Sequence, residues 1–150
     1  MIILKYVVLL YVVHGFAVVI HEMGHYIIAK FLIKSWDEIC IGNFFHIKCS
    51  SKVKVSPFIF SAYVGVDSEE IFKAKDYKIV LFFVMGPVMN LLISIAIIVC
   101  RMESFIECMV VIINLLYFLI SLVPVVGSDL YNLARVLKYK KKYLYNNNSR

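Results

Sequence analysis

YVVHGFAVVIHEMGHYIIAKFLI, residues 11–33, decides how this chain is read. The stretch is apolar almost throughout, yet residues 21–25 are HEMGH. On insertion scales an acid or base at the centre of a membrane helix costs roughly 2.5–3.5 kcal/mol. Three titratable side chains in five positions therefore need a reason. On a helix, positions i and i+4 share a face, so His21 and His25 can grip one metal ion with two imidazoles. Glu22, beside the first of them, can reach a water at that metal. This is the H-E-x-x-H arrangement of zinc hydrolases. Catalytic zinc takes three protein ligands and keeps one position open. The plain alternative, a polar helix turn, suits a soluble helix better than one in hydrocarbon.

The rest of the chain supports a membrane setting. Of its 150 residues, 62% are hydrophobic and 17% charged. An ordinary soluble domain is about 45–50% apolar. Residues 79–100 carry no charge, nor do residues 108–128, and each meets the ~20 apolar residues a spanning helix needs. The expected architecture is an α-helical membrane protein with three transmembrane helices over about 2–32, 79–100 and 105–126. The first is read as a retained helix, since no small-residue cleavage site follows it. With three spans, Lys5 and Arg101 lie on one side of the bilayer and the other fourteen basic residues on the opposite side. Lys/Arg excess marks the cytoplasmic side, so the chain is expected N-out and C-in. The net charge of +6 is thereby assigned to orientation and not to nucleic acid. The run KYKKK at 138–142 can also meet anionic lipid heads. Cys40, Cys49, Cys100 and Cys108 have no C-x-x-C spacing and are expected as free thiols.

Residues 33–78 form the expected cytoplasmic loop. Alternation in IGNFFHIKCSSKVKVSPFIFSAYVGVD predicts short strands, a small hairpin or sheet against the cytoplasmic membrane face. Pro57 marks an edge or a break. Ser68 is the expected cap of a short helix with Glu69 and Glu70 in its first turn. After Pro124, Gly127 and Ser128, an amphipathic interfacial helix is expected from Asp129 onward. Of ten acidic residues, only Glu22 and Asp129 lie at the cytoplasmic margins of spanning helices. The first and third helices run in the same direction, so topology brings Asp129 to the depth of His21 and His25. Asp129 is the candidate third ligand; its alternative role is to cap the helix that begins there.

Three motifs now stand in order: HEMGH at 21–25, Gly86-Pro87-Val88-Met89-Asn90, and SLVPVVGSDL with Pro124 and Asp129. Together with SAYV at 61–64 they resemble the site-2 protease family of M50-type intramembrane zinc metalloproteases, in a small core-only form. The family pattern is H-E-x-x-H, then G-x-x-x-N, then N-x-x-P-x-x-x-x-D-G. Here Ser121 stands for its asparagine before the proline, and Leu130 for its last glycine. The resemblance implies that His21, His25 and Asp129 hold one zinc ion. It implies that Glu22 is the general base and acid, and that Asn90 positions the substrate backbone or stabilises the oxyanion. Asn90 could equally serve as an interhelical hydrogen bond. A strand near residues 53–60 is a candidate for pairing with an unwound substrate.

The expected function is hydrolysis of a peptide bond in or near a membrane segment of a protein or peptide substrate. All of residues 1–150 would form one intramembrane metalloprotease core, its active site toward the cytoplasmic side of the cell membrane. Expected partners are membrane lipid and that transmembrane substrate, with no nucleic acid. The rival from another class is a non-catalytic metal-binding membrane partner, which would not need Glu22. A metal transporter would need ligands along a path through the bilayer, and only His14 extends the line. His14 lies about 10 Å from His21 along the helix, too far for the same ion, and is read as pore-lining or hydrogen-bonded. His46 is read as structural or exposed.

Overall fold

The computed structural model describes residues 2–101 and 103–148. Helix α1 (Ile2–Ile28) ends in a π-helical turn (Ala29–Ile33). Four short strands follow: β1 (Ile39–Ile41), β2 (Ile47–Lys48), β3 (Val53–Val55) and β4 (Ala62–Val64). Then come α2 (Ser68–Lys73), α3 (Asp76–Val99), α4 (Phe105–Ser121) and α5 (Asp129–Asn148). Ile3–Ile33 and Asp76–Val99 are both long and apolar enough to cross a bilayer. Only 22% and 28% of their apolar windows are buried. A core helix of a soluble protein would be mostly covered, so these faces suit a lipid surrounding.

The third apolar helix is shorter than the sequence suggested. α4 has 17 residues, at the low end of the roughly 17–25 that span. It ends at Ser121 and not near 126. Pro124 has no N–H to continue the ladder and disfavours helix in the residue before it, so Leu122 and Val123 close the last turn onto Leu119 and Ile120. The start is well defined: Ser104 and Glu107 form a reciprocal capping box. At α2 the cap is Asp67, one residue before the expected Ser68. Its carboxylate accepts from the N–H of Glu69 at 2.7 Å and Glu70 at 3.4 Å. All four cysteines are free thiols.

The strands form one mixed sheet in the order β2-β3-β1-β4. β1 runs parallel to β3 and antiparallel to β4. β3 is therefore paired on both sides. The expected substrate-pairing strand at 53–60 is corrected accordingly, because β3 ends at Val55 and the sheet's edges belong to β2 and β4. The sheet stands beside α1. The Tyr11 hydroxyl donates to the Pro57 carbonyl and accepts from the Ile59 N–H. Tyr11 precedes His21 by ten residues, about 15 Å of helix.

α1 and α3 cross with their backbones in contact. A Cβ on Gly24 would lie 2.7 Å from the Met85 carbonyl carbon, so only glycine permits the approach. At one end of this crossing, Ile28, Ala29, Ile33, Ile71, Ile79 and Phe82 form a buried cluster. Leu133, Val136 and Leu137 of α5 pack on it. Farther along α5, the buried Lys140 donates to Asp76 Oδ1 at 2.6 Å and to the Ala74 carbonyl. These contacts seat α5 against the start of α3 and fix where Asp129 begins.

Candidate metal centre

α1 turns His21 and His25 toward α3, and both are buried. Their ring centroids are 4.9 Å apart. His21 Nε2 lies 2.9 Å from Asp129 Oδ2, and His25 Nε2 lies 3.2 Å from Asp129 Oδ1. Ligand atoms of His21, Glu22 and His25 all fall within 4.8 Å of one another. The structure thus brings four of the five expected site residues to one point, from sequence positions over a hundred residues apart.

The floor of this point is a stripe on α3. Phe82, Gly86 and Asn90 recur every fourth residue and so share a face. Pro87 leaves this part of the ladder one donor short, and in the turn before it the Phe82 carbonyl faces His25 Nδ1 at 2.6 Å. Asn90 Oδ1 faces His21 Nδ1 at 2.7 Å. Both partners are acceptors, so each Nδ1 carries the proton and each Nε2 presents a lone pair. Gly86 leaves the room between them: a Cβ there would sit 2.8 Å from His21 Nε2.

Asp129 owes its freedom to the residues before it. Gly127 takes φ 96°, a left-handed conformation that suits glycine. Ser128 Oγ then accepts from the Tyr131 N–H at 3.2 Å, which caps α5. The Asp129 carboxylate is not used as the cap and turns to the imidazoles.

Asn90 takes the second of its two expected roles, an interhelical hydrogen bond. It has no exposed surface, and its Nδ2 donates to the Ala17 carbonyl at 3.0 Å and to Asn114 Oδ1 at 2.7 Å. Its amide is committed behind His21 and does not face a substrate. A polar atom buried this deeply needs such partners, and none of the buried side-chain polar atoms among the described residues lacks one.

Two imidazole lone pairs and a carboxylate converging at hydrogen-bond distance require positive charge between them, as protons or as a cation. Two nitrogens and one oxygen are a donor set that zinc accepts. The site therefore fits a zinc ion. It opens into a cavity of about 510 Å³, lined among others by Glu22, Phe60, Val64, Tyr117 and Asn132. The Val64 N–H, on the open edge of β4, faces the Glu22 carboxylate. His14 bonds the Tyr117 hydroxyl through Nδ1 at 3.2 Å, and His46 donates from Nε2 to the Gly42 carbonyl; neither reaches the centre. On the sheet, Glu38 accepts from Lys54 and from the Tyr63 hydroxyl at 2.5 Å each. Lys54 first, then Tyr63, holds the Glu38 carboxyl below its usual range. In return Glu38 pushes the Tyr63 phenol up to about 12. This ties β4, and with it the cavity wall, to β1 and β3.

Sequence reasoning missed Asn114, Tyr117 and Ser128. The asparagine was the one with a signal: an amide in an apolar helix needs a partner. Compared with known families, residues 9–146 match the model of peptidase family M50. No curated protein matches the chain.

Proposed function

The chain belongs to peptidase family M50, the site-2 protease family, and from that premise we propose that it is an intramembrane zinc metalloprotease. Its ligands would be His21, His25 and Asp129, with Glu22 as general base and acid. The observation that carries this reading is the meeting of both Nε2 atoms with the Asp129 carboxylate in a cavity that Glu22 also lines. When bound, zinc supplies Lewis acidity and an activated water at neutral pH. Glu22 accepts a proton from the attacking water and passes it to the leaving amine. The Phe82 carbonyl and Asn90 hold the two imidazoles in the tautomer that ligates. Asn90 acts as a positioning residue in this scheme.

The substrate is an unwound membrane segment of a protein or peptide. It runs along the edge of β4, in the way extended peptides add to a sheet edge. The chain spans the bilayer three times with α4 as the short third span. Two basic residues on one side against fourteen on the other orient it N-out and C-in, with the active site toward the cytoplasm. The basic end of α5 meets anionic lipid headgroups.

The test compares wild type with Glu22→Gln on a panel of single-span peptides in liposomes. Wild type cleaves at least one peptide, while Glu22→Gln keeps its zinc and cleaves none. Equal cleavage by both removes Glu22 from the mechanism. Zinc binding with no cleavage by either, across the panel, favours the non-catalytic metal-binding partner.

A further inference from the structure

Asn114 lies on α4 with no exposed surface, and it is not among the residues lining the cavity. Its Nδ2 donates to the Val110 carbonyl at 2.8 Å, and its Oδ1 accepts from Asn90 Nδ2 at 2.7 Å. Asn90 in turn donates to the Ala17 carbonyl at 3.0 Å and accepts from His21 Nδ1 at 2.7 Å. One chain of amides thus runs from α4 through α3 to a candidate zinc ligand on α1.

The direction of that chain is fixed at both ends. Val110 and Ala17 offer carbonyl oxygens, which only accept. The NH₂ group of Asn114 must therefore face Val110, and its oxygen must face Asn90. Both amide hydrogens of Asn90 are then taken, so its oxygen faces His21. His21 Nδ1 has to donate, which leaves Nε2 as the lone pair. With Asn114 gone, only the Ala17 carbonyl would hold the Asn90 amide against rotation. A rotated amide offers N–H to His21 Nδ1, and the proton of the imidazole moves to Nε2. That tautomer must give up the Nε2 proton before metal binds there, which weakens binding.

We propose that Asn114 is a positioning residue for the metal centre. Acting through Asn90, it fixes His21 as the Nδ1–H tautomer and so couples α4 to metal affinity without touching the metal. The inference rests on His21 being a zinc ligand. A bond that served only to join helices would lower stability and leave affinity unchanged.

The test is zinc affinity of the purified full chain in detergent, by competition with a chromophoric chelator. Asn114→Leu removes the amide at similar volume, and Asn114→Ala removes it without added apolar bulk. Both are expected to bind zinc about tenfold more weakly, the low end of the 10–100-fold typical for partners behind a ligand. Asn114→Asp keeps the carbonyl acceptor and is expected to stay within a few-fold of wild type. Ser94→Ala is the packing control. Ser94 is equally buried at the same helix contact and bonds the Asn90 and Val111 carbonyls, so its loss should not move affinity. Wild-type affinity in both Asn114→Leu and Asn114→Ala overturns the inference alone. So does an equal loss in Ser94→Ala. A wild type that takes up no zinc overturns the metal reading and this inference with it.

Discussion

Gly86→Ala adds one methyl group at the most crowded point of the candidate centre. The new Cβ would stand 2.6 Å from His25 Cε1 and 2.8 Å from His21 Nε2. Ordinary contact begins near 3.4 Å, so each ring must retreat by more than half an ångström. Neither can do so freely. His25 is anchored to Phe82 and His21 to Asn90, one turn before and one turn after residue 86 on the same helix. Retreat therefore breaks hydrogen bonds worth about 0.5–1.5 kcal/mol each, and overpacking adds about 1–3 kcal/mol. Alanine returns about 1 kcal/mol through its better helix propensity. The net cost is about 1–5 kcal/mol, so the melt decides whether the chain stays folded, and the Cβ occupies the space between the two Nε2 atoms. Zinc affinity, read by chelator competition beside a thermal melt, should fall by at least about 100-fold, the upper end for disturbed ligand support. Wild-type affinity in a folded Gly86→Ala chain would refute the convergence of both imidazoles over this glycine.

Other consequences are more local. Gly24→Ala should destabilise clearly, because its Cβ meets Met85 backbone. Gly15→Ala should be neutral or mildly stabilising in the same thermal melts, since its Cβ finds Ile59 at an ordinary 3.6 Å. Ser128→Ala should cost about 1 kcal/mol as a lost cap. It should also weaken zinc binding, because Asp129 becomes the nearest replacement for the Tyr131 N–H; an unchanged affinity would mean the serine does not free the aspartate. By ring-carbon NMR, Tyr63 should ionise near 12, because the Glu38 charge opposes the phenolate. In Glu38→Gln it should return toward about 10, the ordinary tyrosine value, and no change would remove Glu38 as the cause.

The convergence of His21 and His25 with Asp129 was legible in the sequence because its residues carry their own spacing. His21 and His25 are four apart on an apolar helix, and few acids are left to meet them at that depth. Which of the two roles of Asn90 holds was not legible. A spacing of four from Gly86 puts both on one face, but only the crossing of α1 and α3 decides whether that face meets a substrate or the back of His21. The strand order was hidden for a related reason. Alternation marks which segments are extended, while the pairing of β1 with both β3 and β4 is a matter of long-range contact. The early end of α4 follows from Pro124, whose effect reaches back beyond its own position. The helix cap moved by one residue at α2 because Asp67 and Ser68 are both good caps, and local propensity does not choose between them.

The most direct test is the zinc content of the purified chain, measured by elemental analysis against protein concentration. Wild type should hold one zinc per chain, and Asp129→Ala should lose it while α1 and α3 remain folded by circular dichroism. Asp129→Ala that retains one zinc with wild-type affinity would contradict a centre built from the HEMGH helix and the start of α5.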